Sequence, residues 1–179
     1  RHVPEIDTMQ PADLAVVSGM TFPAYRHLLA MQPALRLPAE PEQRLVQPVG
    51  LVARDGGRIV GFALAELPVQ ASEGPPELLS VFVAADARRQ GVGTALVAAM
   101  EDRILRGHGA SSLEAVYTTG KPSIAAMERI FEQRVWEAPI VRTVTVRFTM
   151  AEALATPWYG RMGLLPKGAE IFSWVDLKI

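Results

Sequence analysis

The sequence predicts an α/β (α+β) protein built on a mixed central sheet of about seven strands. Three observations support this prediction. Leu78–Leu105 passes from an apolar run through a glycine loop into an amphipathic segment, which is typical of a strand joined to a helix. Asp55-Gly56-Gly57 separates two strand-like runs, as in a β-hairpin. Val144–Met150 alternates apolar and polar residues, as a half-buried strand does.

The N-terminal part of the chain predicts one strand, two short helices and an irregular stretch. Val3–Thr8 is predicted as an edge strand. Apolar residues recur at helical spacing in Gln10–Met20, and Pro23–Met31 has a proline in its first turn, where the missing N–H does no harm. Gln32–Gln47 contains several prolines, so we expect an irregular flap there.

The middle of the chain predicts a hairpin and a crossover. The hairpin strands are Val49–Arg54 and Arg58–Glu66, and Glu77–Val83 is the next strand. A helix begins near Val92, and Leu113–Tyr117 follows it as a short strand. Because strand, helix and strand follow each other, the two strands of this unit should be parallel neighbours.

The C-terminal part predicts one more helix and two more strands. Pro122 starts the helix, and Ile171–Leu177 follows Val144–Met150 as the last strand. The insert Ala151–Glu170 between these strands is far longer than the two to five residues of an ordinary hairpin loop. Such an insert lines a binding site, covers an otherwise exposed sheet edge or contacts a further domain.

Composition limits the class of protein. A chain of 179 residues predicts one domain, 1–179, with the insert at about 151–170. Since the sequence begins with Arg1 rather than methionine, we expect it to be part of a longer chain. With 49% hydrophobic and 21% charged residues it should be globular, and a net charge of −1 makes nucleic acid an unexpected partner.

Metals, disulfides and membranes are not expected either. The chain has no cysteine and only three histidines, none of them paired at metal-ligand spacing. No apolar stretch approaches the roughly 18 residues of a membrane span, and the N-terminal residues do not resemble a secretory signal. We therefore expect a soluble cytoplasmic protein.

The glycine loop predicts a phosphate site. Arg88–Thr94 joins a strand to a helix, so unpaired backbone N–H groups lie at the positive end of the helix dipole. The flanking arginines add charge and donors. The loop lacks the third glycine of a dinucleotide fingerprint and the Gly-Lys-Ser/Thr of a P-loop, which disfavours both of those classes.

Arg88-Arg89-Gln90-Gly91-Val92-Gly93 matches Arg/Gln-x-x-Gly-x-Gly/Ala, the acetyl-CoA signature of the GNAT superfamily of acyl-CoA-dependent N-acetyltransferases. The predicted element order from about Ile6 to Met150 also resembles that family. The resemblance implies the GNAT fold, with helices on both faces of the sheet, and acetyl-CoA as co-substrate without a metal. It further implies a transferase that moves an acetyl group to a primary amine of a small molecule or peptide, and it is compatible with a homodimer.

The resemblance also implies where the donor binds. Backbone amides of the glycine loop would hold the CoA pyrophosphate, and the main chain of the preceding strand would pair with the pantetheine arm. Family members commonly splay that strand from its parallel neighbour, so that the thioester enters the gap. The cofactor-binding residues implied in this way are Val81, Phe82, Val83, Arg88, Arg89, Gln90, Gly91, Val92, Gly93 and Thr94.

Direct transfer requires a base that takes a proton from the amine. Glu77 has the same offset from Gly91 as the glutamate base of histone-type family members, so we identify it as the candidate, with Glu66 as its rival. The alternative without a catalytic role is that Glu77 is a solvated carboxylate at a strand end.

Many family members place a tyrosine on the helix after the fifth strand, where it protonates the departing thiolate. That helix here offers Ile130 and Phe131, which have no hydroxyl. Tyr117 and Tyr159 are the candidate substitutes, although such tyrosines often only pack. The departure keeps two alternatives open: a non-catalytic acyl-CoA-binding sensor or scaffold, and an acyltransferase that uses a longer acyl-CoA or a carrier-protein thioester.

Overall fold

The computed structural model describes residues 4–35, 45–144, 149–157 and 161. Four predictions fall wholly or mainly outside these residues. They concern the last strand, the centre of the strand at 144–150, most of the insert with Tyr159, and most of the irregular flap at Gln32–Gln47.

The described strands form one sheet. They are β1 (Glu5–Thr8), β2 (Ala34–Leu35), β3 (Leu45–Asp55), β4 (Arg58–Pro68) and β5 (Glu77–Val83). Their order is β1-β3-β4-β5, with β2 also paired to β3, and all these pairs are antiparallel.

The described residues thus contain five strands instead of about seven. Leu113–Tyr117 is not a full strand, because its pairing with β5 is a single parallel bridge between Glu77 and Glu114. The strands described here therefore form an antiparallel sheet rather than the predicted mixed one, although the predicted parallel direction is correct at that single bridge.

The β3–β4 hairpin is confirmed, with a two-residue turn between Asp55 and Arg58. Gly56 has φ 55° and Gly57 has φ 82°, the pair of positive angles that a type I′ turn requires. The strand β3 begins at Leu45, earlier than predicted, and includes Pro48. A proline fits extended backbone and removes only one donor, so Pro48 does not stop the pairing.

The predicted N-terminal helices are present in shorter and tighter forms. Pro11–Asp13 is a 3₁₀ turn that leads into α1 (Leu14–Val17), and Pro23–Ala30 is a 3₁₀ helix. Asp13 is buried and forms an ion pair with Arg54 of β3, with Nη2 2.8 Å from Oδ1. This ion pair fixes the N-terminal helices to the sheet.

The two longer helices are α2 (Val92–Glu101), which continues in a π turn over Asp102–Gly107, and α3 (Ile124–Gln133). Together with one face of the sheet they bury a set of residues that we call the α2/α3 cluster. It comprises Val49, Leu51, Ala53, Val60, Ala63, Ala65, Leu78, Ala87, Val92, Leu96, Val97, Met100, Ile104 and Phe131. The predicted apolar stripe of α2 is therefore confirmed.

The opposite face of the sheet packs against the N-terminal helices in a second core, the N-terminal cluster. Its buried residues are Met9, Val17, Leu28, Leu29, Val46, Val52, Phe62 and Leu64. Helices thus cover both faces of the sheet.

Gly61 of β4 sets the close approach of α2 to the sheet. A Cβ atom there would lie 2.9 Å from Leu96 Cδ1 and 3.0 Å from Val92 Cγ1. Only a glycine leaves room for the first two turns of α2 at this distance, and these turns hold the end of the glycine loop.

The chain divides into two compact units, Arg1–Glu137 and Ala138–Ile179. The prediction of one domain with an insert stays a prediction. In the second unit, α4 (Met150–Leu154) begins where the sequence predicted the end of a strand. Thr149 caps it, because its N–H donates to Glu152 Oε2 at 2.7 Å and its Oγ1 accepts from Glu152 N at 3.3 Å. Within the described residues, no helix is both long and apolar enough to cross a membrane.

Candidate functional site

The glycine loop leaves several N–H groups directed away from the protein's own acceptors. Arg89 has φ 63° and Gly91 has φ 88°, and such left-handed residues in a turn make successive N–H groups converge. The first bond of α2 runs from the Ala95 N–H to the Gly91 carbonyl at 2.9 Å. The N–H groups of Val92, Gly93 and Thr94 therefore have no intrahelical acceptor and can bind an anion.

A glycine is needed at each of the two motif positions for a different structural reason. Gly91 needs its left-handed angle, and a Cβ there would meet nothing within 4 Å. Gly93 needs its small size, because a Cβ there would lie 2.9 Å from Ile130 Cδ1 on α3. Gly91 thus shapes the loop, whereas Gly93 lets α3 pack against it.

Side chains of the loop attach it to β5 and to the 3₁₀ turn Ala85–Ala87 that precedes it. Arg88 Nε donates to the Val83 carbonyl at 3.1 Å, and Gln90 Nε2 donates to the Asp86 carbonyl at 2.8 Å. Arg58 of β4 forms an ion pair with Asp86 at 2.7 Å. The hydrogen bond that Arg58 donates lowers the pKa of the Asp86 carboxyl.

In the part of the chain that the structure describes, the main chain of β5 has an open edge beside the loop. Ala84 N–H donates to the Val60 carbonyl of β4 at 2.9 Å, and β5 pairs with β4 in antiparallel register. Because alternate residues of a strand direct their N–H and C=O groups to opposite edges, Val81 and Val83 present theirs away from β4. Phe82, by the same alternation, directs its main chain to β4, so it offers none to the open edge.

A bulge at Leu79 produces this orientation. Leu64 lies opposite Ser80 while Ala65 lies opposite Leu78, so β5 has one extra residue between them. Before the bulge, Leu78 N–H points outward and donates to the Glu114 carbonyl at 2.7 Å.

Beyond the bulge, no bridge to the 113–117 segment is present in the described residues. The two segments meet only at the Glu77 end of β5. The edge of β5 that Val81 and Val83 line is left unpaired by this segment.

Three glutamates form a row across neighbouring segments. Glu66 lies opposite Glu77 in the β4–β5 register, and Glu77 bridges to Glu114. Neighbours across a sheet share a face, and Leu78 and Leu113 face the α2/α3 cluster, so the glutamates face the other side. Glu66 is only 1% exposed, whereas Glu77 is half-buried and Glu114 exposed.

Tyr117 lies on the α2/α3 side of the same segment. Its ring centroid is 6.2 Å from that of Phe131, and its hydroxyl donates to Glu128 Oε1 at 3.3 Å. Burial raises the pKa of Tyr117, and the Glu128 carboxylate raises it further, so the phenol is protonated at neutral pH. Glu77 and Tyr117 thus extend from opposite faces of the sheet.

The C-terminal end of α3 is held next to α2 by a compact polar and aromatic contact. Trp136 stacks on Phe131 with ring centroids 4.3 Å apart, and its Nε1 donates to Glu101 Oε1 at 2.7 Å. Arg134 Nε donates to Glu101 Oε2 at 3.1 Å. These contacts hold Phe131 beside Tyr117.

Sequence reasoning predicted the loop, the strand and Glu77, but it missed several neighbours. Glu114 is identified as a neighbour only by its bridge to Glu77, and Glu128 only by its hydrogen bond with Tyr117. Gln133 is the last residue of α3, and its Oε1 accepts from Thr94 Oγ1 in the first turn of α2 at 3.4 Å. Among the sequence signals, only the helical spacing of α3 could have directed attention to Glu128 and Gln133. The described residues contain no group of three acidic, histidine or cysteine side chains that could hold a metal ion.

Comparisons with known proteins agree with this geometry. The model of the acetyltransferase (GNAT) family matches residues 21–132. No curated protein matches the chain.

Several solved structures share the fold. Ribosomal-protein-alanine N-acetyltransferase from Brucella melitensis biovar Abortus 2308 is 18% identical, with a TM-score of 0.58 over 82% of this chain and 100% of the other. AAC(6')-Iy, in complex with a CoA-containing bisubstrate analogue, is 17% identical, with a TM-score of 0.57 over 83% and 99%. A transcriptional regulator from Bacillus halodurans C-125 is 21% identical, with a TM-score of 0.53 over 82% and 100%. At these identities the likeness shows the fold alone.

Proposed function

The chain belongs to the GNAT acetyltransferase family, and from that premise we propose that it moves an acetyl group from acetyl-CoA directly to a primary amine. The observation that supports this most is the edge of β5 between the glycine loop and Glu77, with which no segment of the described residues pairs. It offers main-chain groups for an extended ligand arm, an anion site at one end and a carboxylate at the other.

On the donor side, two backbone features suit the two parts of CoA. The pyrophosphate would accept from the free N–H groups of Val92, Gly93 and Thr94. The pantetheine arm carries amides, which would pair with Val81 and Val83 as an added strand pairs with a sheet edge. Arg88 already donates to the Val83 carbonyl, and that oxygen has a second lone pair for the ligand.

On the acceptor side, Glu77 is the proposed base. It takes a proton from the ammonium group of the acceptor, and the neutral nitrogen then attacks the thioester carbonyl carbon. When the tetrahedral intermediate collapses, the carbon–sulfur bond breaks and the nitrogen releases its second proton to solvent, which leaves a neutral amide and a CoA thiolate. Glu66 is less suited to this role, because its 1% exposure keeps it from an incoming amine.

Tyr117 is proposed as the acid that protonates the departing thiolate. Its ring lies beside Phe131, where many family members have their tyrosine, and its raised pKa keeps the proton available at neutral pH. Base and acid would then act from opposite faces of the sheet, on either side of the thioester. Tyr159, the other candidate acid, lies outside the described residues.

The acceptor is proposed to be a small-molecule or peptide amine. Structural neighbours include aminoglycoside 6'-N-acetyltransferases and a ribosomal-protein-alanine N-acetyltransferase, so both kinds of acceptor occur on this fold. The three-glutamate row faces the acceptor side and would favour a cationic acceptor over an anionic one.

A panel of amino acids, polyamines, aminoglycosides and peptides, read by release of free CoA thiol, tests the proposal. With an acceptor in hand, Glu77→Gln should lower kcat by roughly 10²–10⁴-fold at neutral pH, as expected for loss of a general base. Glu132→Gln, an exposed change on α3, is the matched control and should leave turnover unaltered.

Three outcomes would contradict the proposal in different ways. Unchanged turnover in Glu77→Gln would remove Glu77 from the chemistry. Tight CoA binding with no product from any acceptor would favour the sensor or scaffold alternative, which the hydroxyl-free Phe131 supports. Turnover only with longer acyl-CoA or carrier-protein thioesters would favour the other alternative.

A further inference from the structure

A groove of about 500 Å³ lies between β1 and the C-terminal end of α2, at the other end of this helix from the glycine loop. Its apolar lining residues are Ile6, Leu51 and Ala99, and Arg103 and Arg106 of the π turn line it as well. The volume is within the roughly 300–1,000 Å³ of ligand sites, and π turns are frequent at functional sites. The groove shares no lining residue with the proposed acetyl-CoA site.

β1 presents a main-chain edge to this groove. Met9 N–H donates to the Gly50 carbonyl of β3 at 2.9 Å, in continuation of the β1–β3 register. Because antiparallel pairs alternate, Asp7 bonds to β3, whereas Ile6 and Thr8 direct their N–H and C=O groups outward. In the part of the chain that the structure describes, β1 is the end strand of the sheet, and Ile6 and Thr8 both line the groove. One wall of the groove can therefore pair with an extended ligand.

The charges of the groove favour one anionic group. Arg106 forms an ion pair with Asp102, with Nη2 2.9 Å from Oδ1. Asp7 forms one with Arg54, whose Nε lies 3.4 Å from Oδ2. Arg103 is exposed and has no ion-pair partner among the described residues. Its forked guanidinium donors suit a carboxylate.

A second copy of this chain is a poor occupant of the β1 edge. Antiparallel pairing of two β1 strands with Ile6 opposite Thr8 would put Asp7 opposite Asp7, and pairing with Ile6 opposite Ile6 would put Asp7 opposite Glu5. Like charges directly opposite in a sheet are destabilising. The register with Thr8 opposite Thr8 would need the Gln10 N–H, which is already bonded within the chain. The edge thus suits a chain of different sequence.

We propose that this groove binds the C-terminal segment of a peptide or protein, with its main chain added to β1 and its terminal carboxylate on Arg103. An added strand gains affinity from main-chain bonds and specificity from side-chain contacts. The Ile6 N–H and C=O and the Thr8 N–H would supply the bonds, while the Thr8 carbonyl accepts from Gln10 Nε2 at 3.1 Å. Alternate side chains of the ligand would lie on the apolar lining. The inference stands apart from the proposed function.

Fluorescence anisotropy with a labelled peptide tests this inference. The probe is fluorescein-Gly-Ser-Thr-Val-Thr-Val, made once with a free C-terminal carboxylate and once as the C-terminal amide, so that the two differ only in the terminal charge. Arg103→Gln removes the charge that would hold the carboxylate. Thr8→Pro removes an outward N–H without removing a bond to β3, because an edge strand tolerates a proline there. Arg129→Gln, an exposed change on α3, is the matched control for lost charge.

We expect the unchanged protein and Arg129→Gln to bind the acid probe at least about tenfold more tightly than the amide. In Arg103→Gln the two affinities should be within about twofold of each other. Thr8→Pro should weaken the binding of both probes by about threefold or more, as expected for the loss of one main-chain hydrogen bond. All three variants should keep the far-UV circular dichroism spectrum and the acetyl-CoA affinity of the unchanged protein.

Several results would overturn the inference. Equal binding of acid and amide by the unchanged protein, or a preference that survives in Arg103→Gln, would remove the carboxylate contact. Unaltered binding in Thr8→Pro would leave an anion site without strand pairing. Sedimentation in which Thr8→Pro converts a dimer into a monomer would assign the edge to a second copy, and absence of binding at about 1 mM protein would remove the site altogether. The proposed function is tested separately by acetyl-CoA and is untouched by these results.

Discussion

A Gly93→Ala substitution would place its new methyl carbon 2.9 Å from Ile130 Cδ1. Contacting carbon atoms ordinarily stay about 3.5–4.0 Å apart, so Ile130 must leave its rotamer or α3 must move. An off-rotamer side chain costs about 0.5–1.5 kcal/mol, and overpacking costs about 1–3 kcal/mol. Alanine in a helix recovers up to about 1 kcal/mol. We therefore expect a net loss of roughly 0.5–2 kcal/mol in the free energy of unfolding.

A double-mutant cycle tests the stated cause of that loss. Ile130→Val removes the Cδ1 atom that the new methyl group meets, and by itself it should cost about 0.5–1.5 kcal/mol. The double variant Gly93→Ala/Ile130→Val should then be more stable than the sum of the two single effects predicts, by at least about 0.5 kcal/mol. Urea unfolding followed by circular dichroism gives all three free energies.

Gly91→Ala is the matched control, because it adds the same methyl group at the other motif glycine. Open space surrounds it, so its cost should come from the left-handed angle alone, about 1–2 kcal/mol, and Ile130→Val should not relieve it. Strict additivity in the Gly93 cycle, or equal rescue of Gly91→Ala, would refute the reasoning about the packing of α3.

Three further predictions follow from the ion pairs and from Tyr117. The Arg54 hydrogen bond lowers the pKa of Asp13, so the stability it contributes is present above the ordinary pKa of about 3.9 and is lost as pH falls through the lower folded value. Asp13→Asn should thus be less stable than the unchanged protein at pH 7, with a smaller gap at pH 3; a constant gap in urea unfolding would contradict this. Tyr117→Phe should lower kcat by roughly 10²-fold or more without changing the Kd of acetyl-CoA, and full activity would exclude Tyr117 as the acid. Glu101→Gln should loosen Trp136 and α3 and lower the thermal midpoint by a few degrees, measured by scanning calorimetry, and an unaltered midpoint would contradict that role.

Much of the fold could be predicted because local signals and burial agree. The paired glycines of the hairpin turn and the apolar stripe of α2 each depend on residues close in sequence. The N-terminal segments were predicted less well. Pro23–Ala30 has the composition of a short helix, but the sequence does not distinguish the tighter 3₁₀ form. Pro48 signals a break, yet long-range pairing of β3 with β4 overrides it.

The candidate site could be predicted from the sequence only where its residues are contiguous in the chain. The glycine loop is contiguous, so its motif identifies it directly. The role of Gly93 depends on Ile130, far along the chain, and the row that joins Glu66, Glu77 and Glu114 exists only through strand pairing. A single sequence gives residue types but not these registers.

The most direct test of the account is a calorimetric titration of the protein with acetyl-CoA, in parallel with Gly91→Asp. Aspartate there would put bulk and negative charge at the loop that should hold the pyrophosphate. We predict that the unchanged protein binds with a Kd of tens of micromolar or tighter, about −6 kcal/mol or better, and that Gly91→Asp, folded by circular dichroism, shows no binding. Absence of binding by the unchanged protein, or retained affinity in the folded variant, would contradict the assignment of the glycine loop.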